Sequence, residues 1–589
     1  MHVIATAGHV DHGKSTLVHA LTGQDPDRLD EEHRRGLSIE LGYCWTQLAP
    51  RQEVAFVDVP GHERFVSTML AGVGPVPAVM FVVAADDPWM PQAAEHLAAL
   101  DALGVEHGVL VVTRSDLADP GPAIRCAQTE FALTTLAGVP AVAVSAITGE
   151  GMDELRRQLV TLIEGLPKAD AEADVRLWVD RAFQVSGAGT VVTGTLTAGR
   201  IRVGDVLHIE GTPVRVRRIQ TLGRDVAEAQ GVSRVALRLG AGMSGLVRRR
   251  PALVTAGSWW STSEVDVRVV CGPTEGPAGS LVLHIGASSV GVRCRPLDPG
   301  HEALARLMLE RALPLRVGDR VLLRNPGSHE LWGVVVLDPD PPALTRRGDA
   351  RRRAESLLPT TETPDPDDEL RRRRFARISD LQRLGVDATS APTDALRHGD
   401  WVVDRDAALE LQHQLATLVA DQEKAHPLDP GVTLASAARD LCLPSPEVVA
   451  ALVSGPLRLE DGKVRAGTSG LPEGLTRSLE VLAEELRTHP FAAPDANRME
   501  QLGLDVKAVA AASQAGRLLR LGDLVVLLPG ADVDAAARLS QLPQPFTTSE
   551  ARQHLGTTRR VALPLLAHLD RIGLTRRLAD DRRTTHPCA

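Results

Sequence analysis

Residues 8–15 read Gly8-His9-Val10-Asp11-His12-Gly13-Lys14-Ser15, with Thr16 next: a Gly-x-x-x-x-Gly-Lys-Ser loop. That spacing suits capture of a nucleoside triphosphate. Successive backbone N–H groups make an anion cradle, Lys14 reaches the β- and γ-phosphates, and the Ser15 hydroxyl ligates Mg2+. Three further segments fit the same ligand. In Asp58-Val59-Pro60-Gly61-His62, Asp58 can hold Mg2+ through water and the Gly61 N–H can sense the γ-phosphate. In Thr113-Arg114-Ser115-Asp116, the Asp116 carboxylate can accept from both N1–H and the 2-amino group of guanine, which adenine does not match. Ser145-Ala146-Ile147 can bring a backbone N–H to the guanine carbonyl oxygen. Each segment is weak alone; four in this order, each just after an apolar run, predict a GTP site with Mg2+.

The elements that must position these loops are legible in the hydrophobic pattern. Val54–Val57, Val79–Val83, Val109–Val112 and Val139–Val144 read as strands alternating with helix-length segments, the pattern of a parallel α/β sheet. Ser15–Leu21 reads as a helix whose positive end faces the phosphates. His9, His12, His19 and His33 take their spacing from the loop and its helix, so they read as loop and helix positions and not as a metal cluster. From Val175 the rhythm changes to short β-runs with glycine punctuation, among them Gly187–Thr195, and a similar rhythm runs over 262–338. Asp338-Pro339-Asp340-Pro341-Pro342 and the arginines of 346–353 break it and read as a linker. Beyond lie helical segments, each closed by a hairpin-like tail near 400–403, 456–464, 516–528 and 573–581, spaced as tandem winged helices. The expected architecture is therefore multidomain: a P-loop GTPase domain over 1–168, two β-barrels over 169–258 and 259–340, a linker over 341–368, and winged-helix domains over 369–589.

The bulk properties narrow the class. A chain of 589 residues needs several cores, and its 43% apolar and 24% charged content is ordinary for globular domains. Six cysteines without a Cys-x-x-Cys pair suggest free thiols in a reducing compartment. The start runs straight into a strand and no apolar run reaches a membrane span, which predicts a soluble, cytoplasmic protein with no membrane partner. A net charge of −10 argues against nucleic-acid binding by the whole surface. The last 39 residues differ: there eight arginines face three aspartates.

The forms Gly-His-Val-Asp-His-Gly-Lys and Asp-Val-Pro-Gly-His resemble the translational GTPases of the elongation factor Tu type. Residues 31–43, Glu-Glu-His-Arg-Arg-Gly-Leu-Ser-Ile-Glu-Leu-Gly-Tyr, resemble switch 1 of the bacterial selenocysteine-specific elongation factors. The resemblance implies a GTPase in which Ser38 is the second hydroxyl ligand of Mg2+, His62 orients the attacking water, and Val10 and Leu37 gate His62. It further implies that Asp180, Arg181 and Arg234, in the first barrel, line the pocket for the amino-acid side chain. A selenol is largely ionised at neutral pH and a serine hydroxyl is not, so guanidinium groups there would favour the anion. Two departures stand out: Ser38 lacks the methyl of the usual Thr, predicting a looser switch 1, and Thr113-Arg114 replaces Asn-Lys, predicting a weakened loop tie. The last winged unit should comprise a helix over 547–555, a recognition helix over 557–572 interrupted by Pro564, and a wing over 574–583. Arg559, Arg560, Arg576 and Arg577 would meet RNA there. The implied partners are selenocysteinyl-tRNA, an mRNA hairpin beside a recoded UGA codon and the ribosome, with the factor a monomer. Two other readings stay open: another tRNA-carrying translational GTPase, and a GTP-regulated DNA-binding protein.

Overall fold

The valine-rich runs become the centre of a six-stranded sheet. The computed structural model describes every residue except 28–31, 33–37, 51, 63–64, 88, 186–188, 241–249, 299–302, 388–393, 428–429, 467–470 and 586–589. Leu37 of the expected gate, His33, and Gly187-Ala188 of the barrel motif thus lie outside the described residues. The first domain runs β1 (His2–Ala7), α1 (Lys14–Thr22), β2 (Gly42–Ala49), β3 (Gln52–Asp58), α2 (Val66–Val73), β4 (Ala78–Ala84), α3 (Pro91–Ala102), β5 (His107–Thr113), α4 (Pro120–Phe131), β6 (Ala141–Ala143) and α5 (Met152–Gly165). Strand order is β2-β3-β1-β4-β5-β6, parallel throughout except for the β2–β3 pair.

Alternation along the strands gives the sheet two apolar faces. Ile4, Phe56, Met80, Val82 and Val109 pack with Leu17, Val18, Leu155 and Leu159 from α1 and α5. Val3, Val57, Val79, Phe81 and Leu110 pack with Met69, Leu70, Leu97 and Leu100 from α2 and α3. This second core is continuous with that of a barrel, through Val265, Leu283 and Leu307. The sandwich leaves the carboxyl ends of β1, β3, β5 and β6 at one edge, where the four predicted motifs begin.

Two β domains follow. In the first, the sheet orders Val206–Ile209, Ala252–Thr255, Arg176–Trp178, Gly189–Leu196, Ser233–Leu239 and Thr212–Thr221, and the first and last of these also pair, closing the sheet on itself. In the second, six strands between Trp260 and Asp338 form a closed barrel. The stretch expected as a linker is not extended: Asp349–Leu357 and Pro366–Arg373 are helices. A buried ionic network holds them to the barrel. Asp266 accepts from Arg306 and Arg353 Nε at 2.7 Å each, and Asp338 accepts from Arg353, Arg372 and Arg373. Burial alone would raise the Asp338 pKa, but these guanidiniums outweigh it and hold it at about 2. Of the arginines of 346–353, Arg353 alone is buried and serves as internal counter-charge; Arg346, Arg347, Arg351 and Arg352 are exposed, as in a solvated stretch.

The chain divides into two compact units, 1–393 and 394–589. Among its described residues the second carries four antiparallel hairpins, 396–398 with 401–403, 457–460 with 463–466, 519–520 with 526–527, and 575–577 with 583–585. One core joins Leu475, Leu479, Leu482 and Phe491 with Val526, Leu539, Leu565 and Leu569. The helix Arg559–Arg571 runs on through Pro564, so the expected break does not occur. Its N-terminal neighbour, Thr548–His554, opens on a capping box between Thr547 and Glu550. No helix among the described residues is long and apolar enough to cross a membrane.

Candidate functional site

The loop after β1 is shaped by glycine. Gly8 has φ +126°, and a Cβ there would stand 2.1 Å from the Val82 carbonyl oxygen, so no other residue fits. Lys14 is buried, and its Nζ donates to the carbonyls of Gly8 (3.1 Å) and His9 (2.6 Å). These are neutral acceptors that a phosphate can replace. Burial lowers the Lys14 pKa to about 8. Gly61 approaches so closely that a Cβ would lie 2.5 Å from both Lys14 Nζ and the Val10 nitrogen.

Four oxygen-bearing side chains converge beside this amine. Ser15 Oγ lies 2.7 Å from Asp58 Oδ2 and 3.0 Å from Ser38 Oγ, and Ser38 Oγ donates to Asp27 Oδ1 at 2.8 Å. Thr6 Oγ1 donates to Asp58 Oδ1 at 2.7 Å, fixing the carboxylate. Hydroxyl and carboxylate oxygens at such spacing fit a hard cation such as Mg2+. Ser38, which lacks the methyl, is tied on both sides by hydroxyl and carboxylate. Glu32 Oε1 accepts from the backbone N–H of Ile39 and Glu40 at 2.9 Å each, anchoring the segment that follows Ser38. Asp27 and Glu32 were not singled out in the sequence; their neighbours carry no motif, and only the fold brings them in.

A cavity of about 640 Å3 joins these groups to the base-reading loops. Its lining includes Val10, Asp11, Gly13, Lys14, Ser15, Thr16, Ser38, Gly61, Thr113, Arg114, Asp116, Ser145, Ala146 and Ile147 from the predicted set, together with Asp25, Asp27, Glu32 and Leu117. Gly8, His9, His12, Asp58 and His62 do not line it. His62 instead lies 6.0 Å from the Phe65 ring, centroid to centroid. Thr113 removes one expected weakness: its hydroxyl donates to the His12 carbonyl at 2.8 Å, tying the base loop to the phosphate loop without an Asn. Arg114, at φ +57°, donates to Asp86 Oδ1 at 3.1 Å and to the Asp11 carbonyl.

A second cavity, of about 660 Å3, lies between residues 39–43 of the first domain and the first β domain. Asp180 and Arg181 line it; Arg234 does not. Asp180 accepts from both terminal nitrogens of Arg234 and from Thr193 Oγ1 at 2.7 Å. The Arg234 guanidinium stacks 3.7 Å over the Tyr43 ring. Arg181 donates to Glu40 Oε2 at 2.6 Å. The three predicted residues do come together, but each guanidinium already has a carboxylate partner. Glu40 and Tyr43, contributed by the other domain, are the members that sequence reasoning missed.

In the last winged unit, Arg559 and Arg576 are exposed and form no ion pair among the described residues. Arg560 donates to the Ala493 carbonyl at 2.9 Å and Arg577 Nε to Asp581 at 2.9 Å, so these two are engaged within the protein.

Comparison with known proteins follows this layout. Residues 1–165 match the elongation factor Tu GTP binding domain, residues 278–343 the beta-barrel domain of selenocysteine-specific elongation factors, and residues 537–584 the winged helix of elongation factor SelB. The chain is 29% identical to the selenocysteine-specific elongation factor of Haemophilus influenzae over 98% of both chains. It is 31% identical to translation initiation factor 2 subunit gamma of Methanocaldococcus jannaschii, but there the match spans only 56% of this chain. The crystal structure of a bacterial selenocysteine-specific elongation factor, EF-Sec, shares the fold over the full length of both chains, with a TM-score of 0.76 at 24% identity.

Proposed function

The chain belongs to the family of selenocysteine-specific elongation factors, and from that premise we propose that it carries selenocysteinyl-tRNA, in a GTP-dependent manner, to ribosomes at recoded UGA codons. The observation that carries this reading is the full-length relationship, which continues past the tRNA-carrier domains into the winged tail. The match to an initiator-type carrier spans only 56% of the chain, and a DNA-binding regulator would have no use for the second cavity.

The residues then divide the work. The phosphate-loop N–H groups and Lys14 hold the triphosphate, and Asp116 with the backbone of Ser145–Ile147 reads guanine. Ser15 and Ser38 would hold Mg2+, with Asp58 ordering its water; the ion neutralises charge on the β- and γ-phosphates. His62 orients the attacking water once codon recognition moves it toward the nucleotide, and Val10, with Leu37, restrains it until then. Asp180 and Arg181 form the wall against which the aminoacyl side chain is tested, with Arg234 holding Asp180 from behind. Arg559 and Arg576 contact an mRNA hairpin, keeping the carrier close to one codon.

The test is equilibrium binding of tRNA charged with selenocysteine or with serine to the GTP-bound protein. Preference for the selenocysteinyl form by about a hundredfold or more, about 3 kcal/mol, is the expected result, because only an anion can compete with the carboxylate that already pairs Arg181. Equal affinity would reduce the protein to a general tRNA carrier.

A further inference from the structure

The loop that grips phosphate also presents two imidazoles away from the nucleotide cavity, and the fold brings a carboxylate to them. His9 and His12 sit with ring centroids 4.9 Å apart, inclined at 67°. Asp87, on the turn after β4, places Oδ2 3.1 Å from His12 Nε2. One ligand atom from each of the three residues lies within 4.8 Å of the other two. His12 is fully buried and His9 nearly so, while the Asp87 side chain is about one-third exposed. Asp87 also lines a cavity of about 280 Å3 with Trp89 and Cys126, which gives a small ion an approach.

A hydrogen bond from His12 to Asp87 accounts for one of the four ring nitrogens. The buried Nδ1 of each ring makes no hydrogen bond of good geometry among the described residues, with the Gln92 side chain beside His9 and the Val82 backbone beside His12 as polar neighbours. Burial lowers the pKa of both histidines, so each is held as a neutral imidazole with one lone-pair nitrogen to offer. Two neutral imidazoles and one carboxylate are the donor set of a borderline transition-metal ion, unlike the hydroxyl and carboxylate oxygens of Ser15, Ser38 and Asp58.

We propose that His9, His12 and Asp87 form a binding site for one divalent transition-metal ion of the zinc class, with a fourth position open toward the Asp87 cavity. Closing the ligand atoms to the roughly 3.3 Å separations of a tetrahedral site takes movement of about an ångström, shared between the partly exposed Asp87 and the histidine rings. An ion there clips the turn at 86–87 to the phosphate loop. Asp86 of that turn also pairs with Arg114 of the base-reading loop, so the clip would join both ends of the nucleotide site.

The test uses the full-length protein with saturating GDP and Mg2+, so that the hard-oxygen site is filled, and Co2+ as the spectroscopic probe. One Co2+ per chain should bind with the intense visible absorption of a four-coordinate ion, and Zn2+ should displace it. Asp87→Asn should weaken binding by about tenfold or more, while GDP affinity and Tm measured without transition metal stay unchanged. Asp87→Cys should retain one ion and add a thiolate-to-cobalt charge-transfer band in the near ultraviolet, which only direct ligation by residue 87 produces. Absence of bound Co2+ under these conditions overturns the proposal, as does wild-type affinity in Asp87→Asn or a Cys variant without the new band.

Discussion

The two large cavities of the first unit hold their cations in opposite ways. In the nucleotide site, Lys14 rests on two backbone carbonyls, neutral acceptors that a phosphate outbids at once. At the second cavity, the lining Arg181 is paired with Glu40, and Arg234, outside the lining, is locked to the lining Asp180, so an incoming anion meets a guanidinium that is already satisfied. The first arrangement suits tight capture of a ligand that is always charged. The second suits discrimination, because a group must be anionic to compete with a carboxylate, and a neutral hydroxyl gains nothing by trying. The expectation that guanidinium groups there favour an anion thus meets guanidiniums already paired with carboxylates, and on the proposed function such a pocket would select by displacement.

The sharpest way to break this comparison is to remove the buried partner in the second cavity. Arg234→Met leaves Asp180 charged, almost wholly buried and short of its bidentate partner. That should destabilise the first unit by about 3–5 kcal/mol in urea unfolding, whereas Asp180→Asn combined with Arg234→Met should recover much of the loss. If the single variant unfolds like the wild type, Arg234 is not a structural counter-ion, and the contrast with Lys14 disappears.

A smaller effect probes the nucleotide site from its own side. With a pKa of about 8 in the free protein, Lys14 is a cation below that pH and a neutral amine above it. Bound phosphate favours the cation and raises the pKa in the complex, so between the two values binding takes up a proton. GTP affinity should therefore hold level below pH 8 and fall above it, by up to about tenfold per pH unit. Calorimetry in two buffers of different ionisation enthalpy at pH 8.5 would register the proton uptake; none would mean that Lys14 stays charged throughout.

The same contrast explains what could be read from the chain. The nucleotide site is written in contiguous loops, because backbone N–H groups and one Lys do most of the binding, and each loop follows a strand whose valine pattern is unmistakable. Asp27 and Glu32 escaped because their contributions to Ser38, Ile39 and Glu40 depend on where the chain folds back, not on a motif. The second cavity was half legible. Asp180, Arg181 and Arg234 were found through resemblance, but Glu40 and Tyr43 reach it from another domain. Arg353 escaped for a related reason: one buried arginine among the exposed ones of 346–353 cannot be told from its neighbours until the fold puts Asp266 and Asp338 beside it. His9 and His12 belong to the phosphate-loop motif, and the carboxylate that completes their triad comes from a turn 75 residues on.

The finest test of selection by displacement is Glu40→Gln. Glu40 follows directly on the switch-1 segment anchored by Glu32, and its pair with Arg181 is partly exposed, so its strength is at most about 1 kcal/mol. Neutralising Glu40 frees Arg181 without disturbing the Arg234–Asp180 lock. Affinity for selenocysteinyl-tRNA should rise, by no more than about fivefold, while affinity for seryl-tRNA stays put, because only an anion was ever competing with that carboxylate. A gain shared equally by both tRNAs would mean that Glu40 repels the tRNA backbone instead. A loss for both would make Glu40 part of the fit between switch 1 and the barrel, and the Arg181 pair would then belong to the architecture and not to selection.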